Sequence, residues 1–270
     1  MKLGPDAARY WLAGRGVTVA RPFHLRWLLP YLCRNDLRRW SIVWWASWPL
    51  AAGGCALLAH TYGLSPQRCA VAAILLIALP GVLGPPVTRP IGVDLPALAL
   101  SVMGAGLYRL GWWPAGLALV LVASCVKESS PVFAAVWAWS PLLLLALIAP
   151  LIRHLIAESA IDEVTAREPY RTIYDHPLRT SLHAREWRSA WVMVAPWGIT
   201  LAALYAPSRA LATALVVAHA QLFVATDTVR LTQTAAGPLM AVGAAVVIPE
   251  PWLILAVVAH VVWWRKPELV

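Results

Sequence analysis

Long apolar runs alternate with short polar breaks along nearly all of the chain after residue 40. The runs cover about 41–62, 68–84, 92–108, 112–126, 132–152, 189–206, 209–225, 235–248 and 251–264. The longer runs reach the roughly 20 apolar residues that a helix needs to cross a bilayer. The pattern therefore predicts an all-α, polytopic transmembrane helical bundle of about nine spans.

The first 40 residues differ from the rest because they are polar, basic and aromatic at once. Residues 6–13 and 25–33 are short and amphipathic, which predicts two helices that lie in the membrane interface. We accordingly divide the chain into four parts: a candidate active-site loop (1–40), an N-terminal transmembrane bundle (41–152), a polar connection (153–188) and a C-terminal transmembrane bundle (189–270).

The composition supports membrane insertion and narrows the class of partners. Hydrophobic residues make up 60% of the chain and charged residues 13%, which is more apolar than a soluble domain of this length. The formal charge of +9 is carried mostly by Arg. Because no basic soluble domain is evident, the charge favours membrane lipids or a phosphate-bearing lipid over nucleic acid as partner. We expect a multi-pass protein of the cytoplasmic membrane.

Two aspartates beside apolar runs are candidate functional residues, because ionised groups there are costly unless paired or solvated. Asp6, in GPDAARY, has the chemistry of a general base for an acceptor hydroxyl, and also that of an N-cap for a helix over 7–13. Asp94 precedes Pro96 by two residues at the start of the third run, where it also suits an N-cap. The residues alone leave both alternatives open.

Two charged pairs stand at other ends of apolar runs. Lys127 and Glu128, in VKESSP, offer a cation for a phosphate and a carboxylate for a nearby Arg or Lys; the alternative is a solvated helix end. Two short spans separate Asp94 from this pair, so we expect all three at the same membrane face. Asp227 and Arg230 are three apart and would pair on a helix, or form an ordinary ion pair in a loop.

Together these motifs resemble the C-type, polytopic membrane glycosyltransferases, which take sugars from polyprenyl-phosphate donors. The similar stretches are DAARYWLAG over 6–14 and PFHLRWLLP over 22–30, which look like an extracytoplasmic loop of bacterial members. Asp94, Lys127-Glu128 and Asp227-Arg230 look like later family elements. The family has a membrane span before this loop, so the chain resembles an N-terminally shortened member.

The resemblance implies a catalytic base and a set of substrate-binding residues. Asp6 would be the base on the acceptor. The substrate-binding residues would be Arg9, Tyr10, Arg26, Asp94, Lys127, Glu128, Asp227 and Arg230. Arg26, Lys127 and Arg230 would hold the donor phosphate, which suits both Arg forks and the Lys point charge. Glu128 and Asp94 would orient these groups or an optional divalent metal; no other cofactor and no dedicated metal site is expected.

A second hypothesis is a non-catalytic polytopic membrane protein. It would be a scaffold or partner subunit, or less readily a transporter, and includes a glycosyltransferase relative without activity. The short length and the few charges deep within the apolar runs motivate it. An arrangement with the charged sites scattered over opposite faces would favour this hypothesis.

Overall fold

The computed structural model describes residues 5–19, 23–82, 91–157, 194–205, 208–221 and 228–263. Across these ranges the chain is helical and forms no strand, which confirms the all-α prediction. The α-helices are α1 (Pro5–Ala13), α2 (Leu28–Cys33), α3 (Leu37–Thr61), α4 (Pro66–Ile77), α5 (Asp94–Arg109), α6 (Trp113–Val126), α7 (Ser130–Ala138), α8 (Ile148–Ile156), α9 (Arg209–Ala220), α10 (Thr228–Val247) and α11 (Glu250–Trp263). Three 3₁₀ segments are Phe23–Leu25, Pro141–Leu147 and Ala195–Tyr205.

Helix α3, with 25 residues, is the longest helix that the structure describes. The Asp36 carboxylate caps its start by accepting hydrogen bonds from the backbone N–H groups of Arg38 and Arg39. Its chain direction changes after Thr61, where Gly63 adopts φ +79°. Among the described residues it is the one helix long and apolar enough to cross a membrane, while the other apolar helical stretches, including Thr232–Val247 within α10, have 10–17 residues. The number of spans therefore stays a prediction.

Helices α3 and α5 run in the same direction in close contact. A Cβ on Gly54 would lie 2.6 Å from the backbone nitrogen of Met103, so only glycine permits this approach. The register continues to the ends of both helices, where Arg109 Nε donates to Thr61 Oγ1 at 2.8 Å. At this same end Arg68 donates to the Ala245 carbonyl, the last turn of α10. We call this the arginine-capped end.

The opposite end of the bundle is stepped. The α3–α5 register places Asp94 level with about Trp45, so α3 extends beyond α5 by roughly eight residues, or about 12 Å. The described part of the N-terminal segment, residues 5–19 and 23–36, packs over this step. Tyr10, Phe23 and Cys33 are buried there in an apolar cluster with residues from α3, α5 and α6. We call this the segment-covered end.

Two sequence expectations differ from the structure. The predicted run 132–152 is not one helix, because Trp139 adopts a left-handed conformation (φ 53°, ψ 45°) and Pro141 offers no backbone N–H. The chain turns there, and the segment Pro141–Ile156 returns toward the N-terminal segment. The break expected at 225–234 is helical from Thr228, and Gln233 within it is fully buried and accepts a hydrogen bond from the Gly81 backbone N–H.

Candidate functional site

A three-residue network joins the N-terminal segment to the bundle. Arg26 donates to the Glu128 carboxylate through Nε (2.8 Å) and Nη2 (2.7 Å), and through Nη1 to the Tyr10 hydroxyl (3.0 Å). The Arg26 and Glu128 side chains are only 14% and 26% exposed. A two-pronged contact of this kind fixes the guanidinium plane as well as its position. It leaves two of the five guanidinium N–H donors outside these three hydrogen bonds.

The charges of this network stabilise one another. Burial by itself would raise the pKa of Glu128, but the Arg26 guanidinium outweighs it and holds the pKa below the ordinary 4.5. Burial opposes ionisation of Arg26 as well, yet Glu128 and Tyr10 hold its pKa well above its ordinary range. Burial raises the pKa of Tyr10, and the nearby Asp94 and Asp6 carboxylates add to that rise. The phenol therefore stays protonated at neutral pH.

The second ion pair lies directly beside the first. Lys127 Nζ contacts Asp94 Oδ1 at 2.5 Å, with the lysine side chain 6% exposed and the aspartate 20% exposed. Asp94 is the first residue of α5, whereas Val93 occupies the N-cap position. Lys127 ends α6 in an extended conformation (φ −150°, ψ 121°). Successive side chains of extended backbone point to opposite sides, so Lys127 faces Asp94 while Glu128 faces Arg26.

Asp6 lies at the exposed side of the same cluster. It is the second residue of α1, and Arg9 Nη1 contacts its Oδ1 at 3.3 Å. The Asp6 side chain is 41% exposed, whereas Arg9 is buried. The Arg9 guanidinium carbon lies 4.6 Å from the centroid of the Phe23 ring, and that of Arg26 lies 5.4 Å from it. Phe23 thus packs against two cations, a favourable electrostatic arrangement.

The structure brings together most of the predicted site residues and leaves two unplaced. Those at the segment-covered end are Asp6, Arg9, Tyr10, Arg26, Asp94, Lys127 and Glu128. The expectation that Asp94 and the Lys127–Glu128 pair share a face is consistent with this arrangement. Asp227 lies outside the described residues, and for Arg230 the structure describes only the backbone, in the first turn of α10.

The sequence interpretation passed over apolar and neutral residues that build the site. Phe23 belongs to the PFHLR stretch, but its contacts with the Arg9 and Arg26 guanidinium groups are not evident from that stretch. His24 is buried, lies 6.0 Å from the His154 ring, and its carbonyl accepts a hydrogen bond from Arg153. These contacts attach the end of α8 to the N-terminal segment. The only sequence signal for these contacts is that Arg153 and His154 are polar residues at the end of the apolar run 132–152.

Neither metal ligands nor relatives supply a function for the cluster. Within the described ranges, no group of three or more His, Cys, Asp or Glu side chains is arranged to hold a metal ion. Comparison of the chain with protein-family models, curated proteins and solved structures finds no match. The site must therefore be interpreted from its own geometry.

Proposed function

We propose that the protein is an integral membrane glycosyltransferase that moves a sugar from a polyprenyl-phosphate donor to an extracytoplasmic acceptor. The observation that supports this most is the convergence of an exposed carboxylate and two cations at one end of the helical bundle. Asp6 is the exposed carboxylate, and Lys127 and Arg26 are the cations. A transfer that removes a proton from one oxygen and releases a phosphate needs this combination.

In the proposed reaction each charged group has one task. The acceptor hydroxyl gives its proton to the Asp6 carboxylate as its oxygen forms a bond to the anomeric carbon of the sugar. The bond between that carbon and the phosphate oxygen breaks, and its electron pair leaves with the lipid phosphate. Lys127 and the two remaining N–H donors of Arg26 stabilise that added negative charge. Asp94 and Glu128 position Lys127 and Arg26.

The depth of the site suits a lipid-linked donor. Asp94 lies about 12 Å short of the start of α3, level with a cluster of indole rings formed by Trp44, Trp45 and Trp48. Such rings favour the headgroup region of a bilayer. A polyprenyl phosphate carries its charge at that depth, so its phosphate would reach Lys127 without leaving the membrane.

The multi-pass location and the count of about nine spans belong to the same proposal. Large apolar side chains are exposed on α6, α8, α9 and α11, among them Leu121, Leu155, Val216 and Ile254. Water does not favour exposure of so many large apolar side chains, whereas lipid does. Single-cysteine accessibility in sealed membranes would test it: labelling confined to the ends of these helices supports the spans, and labelling along their exposed faces contradicts them.

The decisive experiment is transfer from a radiolabelled polyprenyl-phosphate sugar by the purified full chain in lipid nanodiscs. We expect Asp6→Asn to reduce turnover by about 100-fold or more with little change in donor binding, the usual effect of losing a general base. Lys127→Met should instead weaken donor binding. Asp36→Asn is the matched control, because Asn also caps a helix well and the change removes a carboxylate from the same segment. Full turnover in Asp6→Asn would contradict the assignment of the base.

A scaffold or partner subunit is the second candidate, and one observation favours it. Three of the cations are already paired within the protein: Arg9 with Asp6, Arg26 with Glu128 and Lys127 with Asp94. Such closed pairs are also what a purely structural joint would contain. Binding of polyprenyl phosphate to the nanodisc-embedded protein separates the two candidates, since a structural joint predicts no binding that depends on Lys127.

A further inference from the structure

A basic patch lies around the start of α3, at the outer edge of the segment-covered end. Its members are the exposed arginines Arg15, Arg34, Arg38 and Arg39. The first two lie close together, since a Cβ on Gly14 would be 2.8 Å from the Arg34 carbonyl oxygen. The Asn35 amide, in the orientation that satisfies both of its groups, accepts from Arg15 Nε at 2.6 Å. Asp36 is the one acidic residue between residues 7 and 40, so the patch is strongly positive.

Three of these arginines occupy positions where the local backbone disfavours them. Arg34 has φ 48° and ψ −135°, a conformation that glycine adopts readily and that strains a residue with a Cβ. Arg38 and Arg39 lie in the first turn of α3, where the positive end of the helix dipole disfavours cations. The Asp36 carboxylate already accepts from the backbone N–H groups of both, so an anion would meet the guanidinium groups and not the helix backbone. Such local costs point to a role outside the fold itself.

The basic patch continues an exposed apolar face of α3. Arg38, Ile42 and Trp45 follow one another at helical spacing, and the latter two are 60% and 64% exposed. Arg38 lies one turn, or about 6 Å, beyond Ile42. On the neighbouring α2, Tyr31 and Leu32 are exposed as well. A surface that mixes exposed apolar, aromatic and basic side chains in this order suits the passage of a helix from hydrocarbon into the headgroup layer.

We infer that the basic patch binds the headgroup phosphates of anionic phospholipids in the surrounding bilayer. Arg39 contacts Asp36 Oδ2 at 3.3 Å and donates to the Leu32 carbonyl, whereas neither Arg34 nor Arg38 makes a side-chain hydrogen bond or ion pair within the described part of the chain. Guanidinium forks match phosphate oxygens, and a negatively charged membrane surface attracts clustered arginines. The inference rests on the membrane location proposed above, but not on glycosyl transfer.

The experiment measures which lipid gathers around the N-terminal segment of the full chain in phosphatidylcholine nanodiscs. The donor is a fluorophore on Val17→Cys, an exposed position near Arg15, in a background with Cys69 and Cys125 replaced by Ala. The acceptor is a trace of acyl-labelled phosphatidylglycerol or phosphatidylcholine. At low salt we expect energy transfer to report about fivefold or greater enrichment of phosphatidylglycerol, the effect of roughly one arginine near an anionic headgroup. The enrichment should vanish at about 1 M salt, which screens charges beyond about 3 Å.

Two variants separate lipid binding from folding. Arg34→Gly and Arg38→Gln should each reduce the enrichment to about half or less. Arg34→Gly should also unfold at the same temperature as the wild type or a higher one, because glycine relieves the backbone strain at this position. A purely structural role for Arg34 predicts the opposite. Arg209→Gln is the matched control, because Arg209 is also an exposed first-turn arginine but belongs to α9, and it should keep the wild-type enrichment.

Three results would overturn the inference. The first is equal energy transfer to the two lipids at low salt, which would leave the basic patch to an acidic partner outside the bilayer. The second is an enrichment that survives unchanged in both Arg34→Gly and Arg38→Gln. The third is failure of the full chain to incorporate into nanodiscs, which would overturn the proposed membrane location and the inference with it.

Discussion

Replacing Glu128 by Gln removes one charge from the contact that holds the N-terminal segment on the bundle. The Arg26 side chain, which is 14% exposed, would face a neutral amide in place of the carboxylate that accepts two of its hydrogen bonds. Hydrogen bonds to charged groups contribute roughly 1.5–3 kcal/mol each, and removing one partner of a fully buried ion pair costs about 3–5 kcal/mol. Because the Glu128 side chain is 26% exposed, we expect Glu128→Gln to weaken docking of the N-terminal segment by about 2–3 kcal/mol, less than for a fully buried pair.

Cys33 offers a direct assay of that docking. Its thiol is 1% exposed within the apolar cluster under the segment, and burial raises its pKa to about 11. A maleimide can reach it only when the segment lifts. Since each 1.4 kcal/mol is a factor of ten, Glu128→Gln should increase the Cys33 labelling rate by about 30- to 150-fold. The measurement uses a background in which Cys69 and Cys125 are replaced by Ala.

Two internal comparisons make this result interpretable. Cys55 is fully buried in the bundle core, so its labelling reports opening of the bundle and should not change. Glu250→Gln removes a carboxylate 3.8 Å from Arg68 at the arginine-capped end, where the Glu250 side chain is 64% exposed, and should leave Cys33 protected. A Glu128→Gln protein whose Cys33 reacts within threefold of the wild-type rate would refute the view that this ion pair docks the segment.

Three further results are expected. The pKa of Glu128 lies below its ordinary 4.5 in the folded protein, so the stability that Glu128 contributes is complete above pH 4.5 and is lost as the pH falls through the lowered pKa. A pyridyl disulfide, which reacts with thiols in acid, should therefore label Cys33 of the wild type faster as the pH falls through that range. The Glu128→Gln variant should not show this pH dependence. In a denaturation assay, Gly54→Ala should lower the free energy of unfolding by about 1–3 kcal/mol, because the new Cβ meets the α5 backbone at 2.6 Å. Gly53→Ala should be close to neutral in that assay, because its Cβ would meet only the end of the Met103 side chain, at 3.5 Å. Asp94→Asn and Lys127→Met should each lower the free energy of unfolding, because each leaves the other residue as an unpaired buried group. In a double-mutant cycle, the double variant should lose less stability than the sum of the two single losses.

The pattern of apolar and polar residues predicts most of the described helices, but it predicts the positions at which they break less well. The α3 and α6 segments follow from long apolar runs bounded by polar residues. The turn at Trp139 was missed because the run around it is uniformly apolar, and a left-handed residue leaves no hydrophobicity signal. The opposite error occurred at Thr232–Thr234, where polar side chains suggested a break although they are buried in α10.

The sequence predicted that several of the candidate residues lie near one another, but it did not predict which of them pair. Counting the predicted spans puts Asp94 and Lys127 at the same membrane face, because an even number of crossings would return the chain to its starting side. No such rule connects Arg26 to Glu128, which are 102 residues apart in sequence. Their contact depends on how the N-terminal segment folds across the step between α3 and α5.

The extended backbone at Lys127 has a consequence for how sequences of this type can change over time. Two neighbouring residues serve two separate partners, Lys127 with Asp94 and Glu128 with Arg26. Substitutions should therefore covary within each couple and not between them. Exchange of the dipeptide to Glu-Lys would set like charges against each other in both couples at once. A lineage could invert either couple alone, provided that both of its members change together.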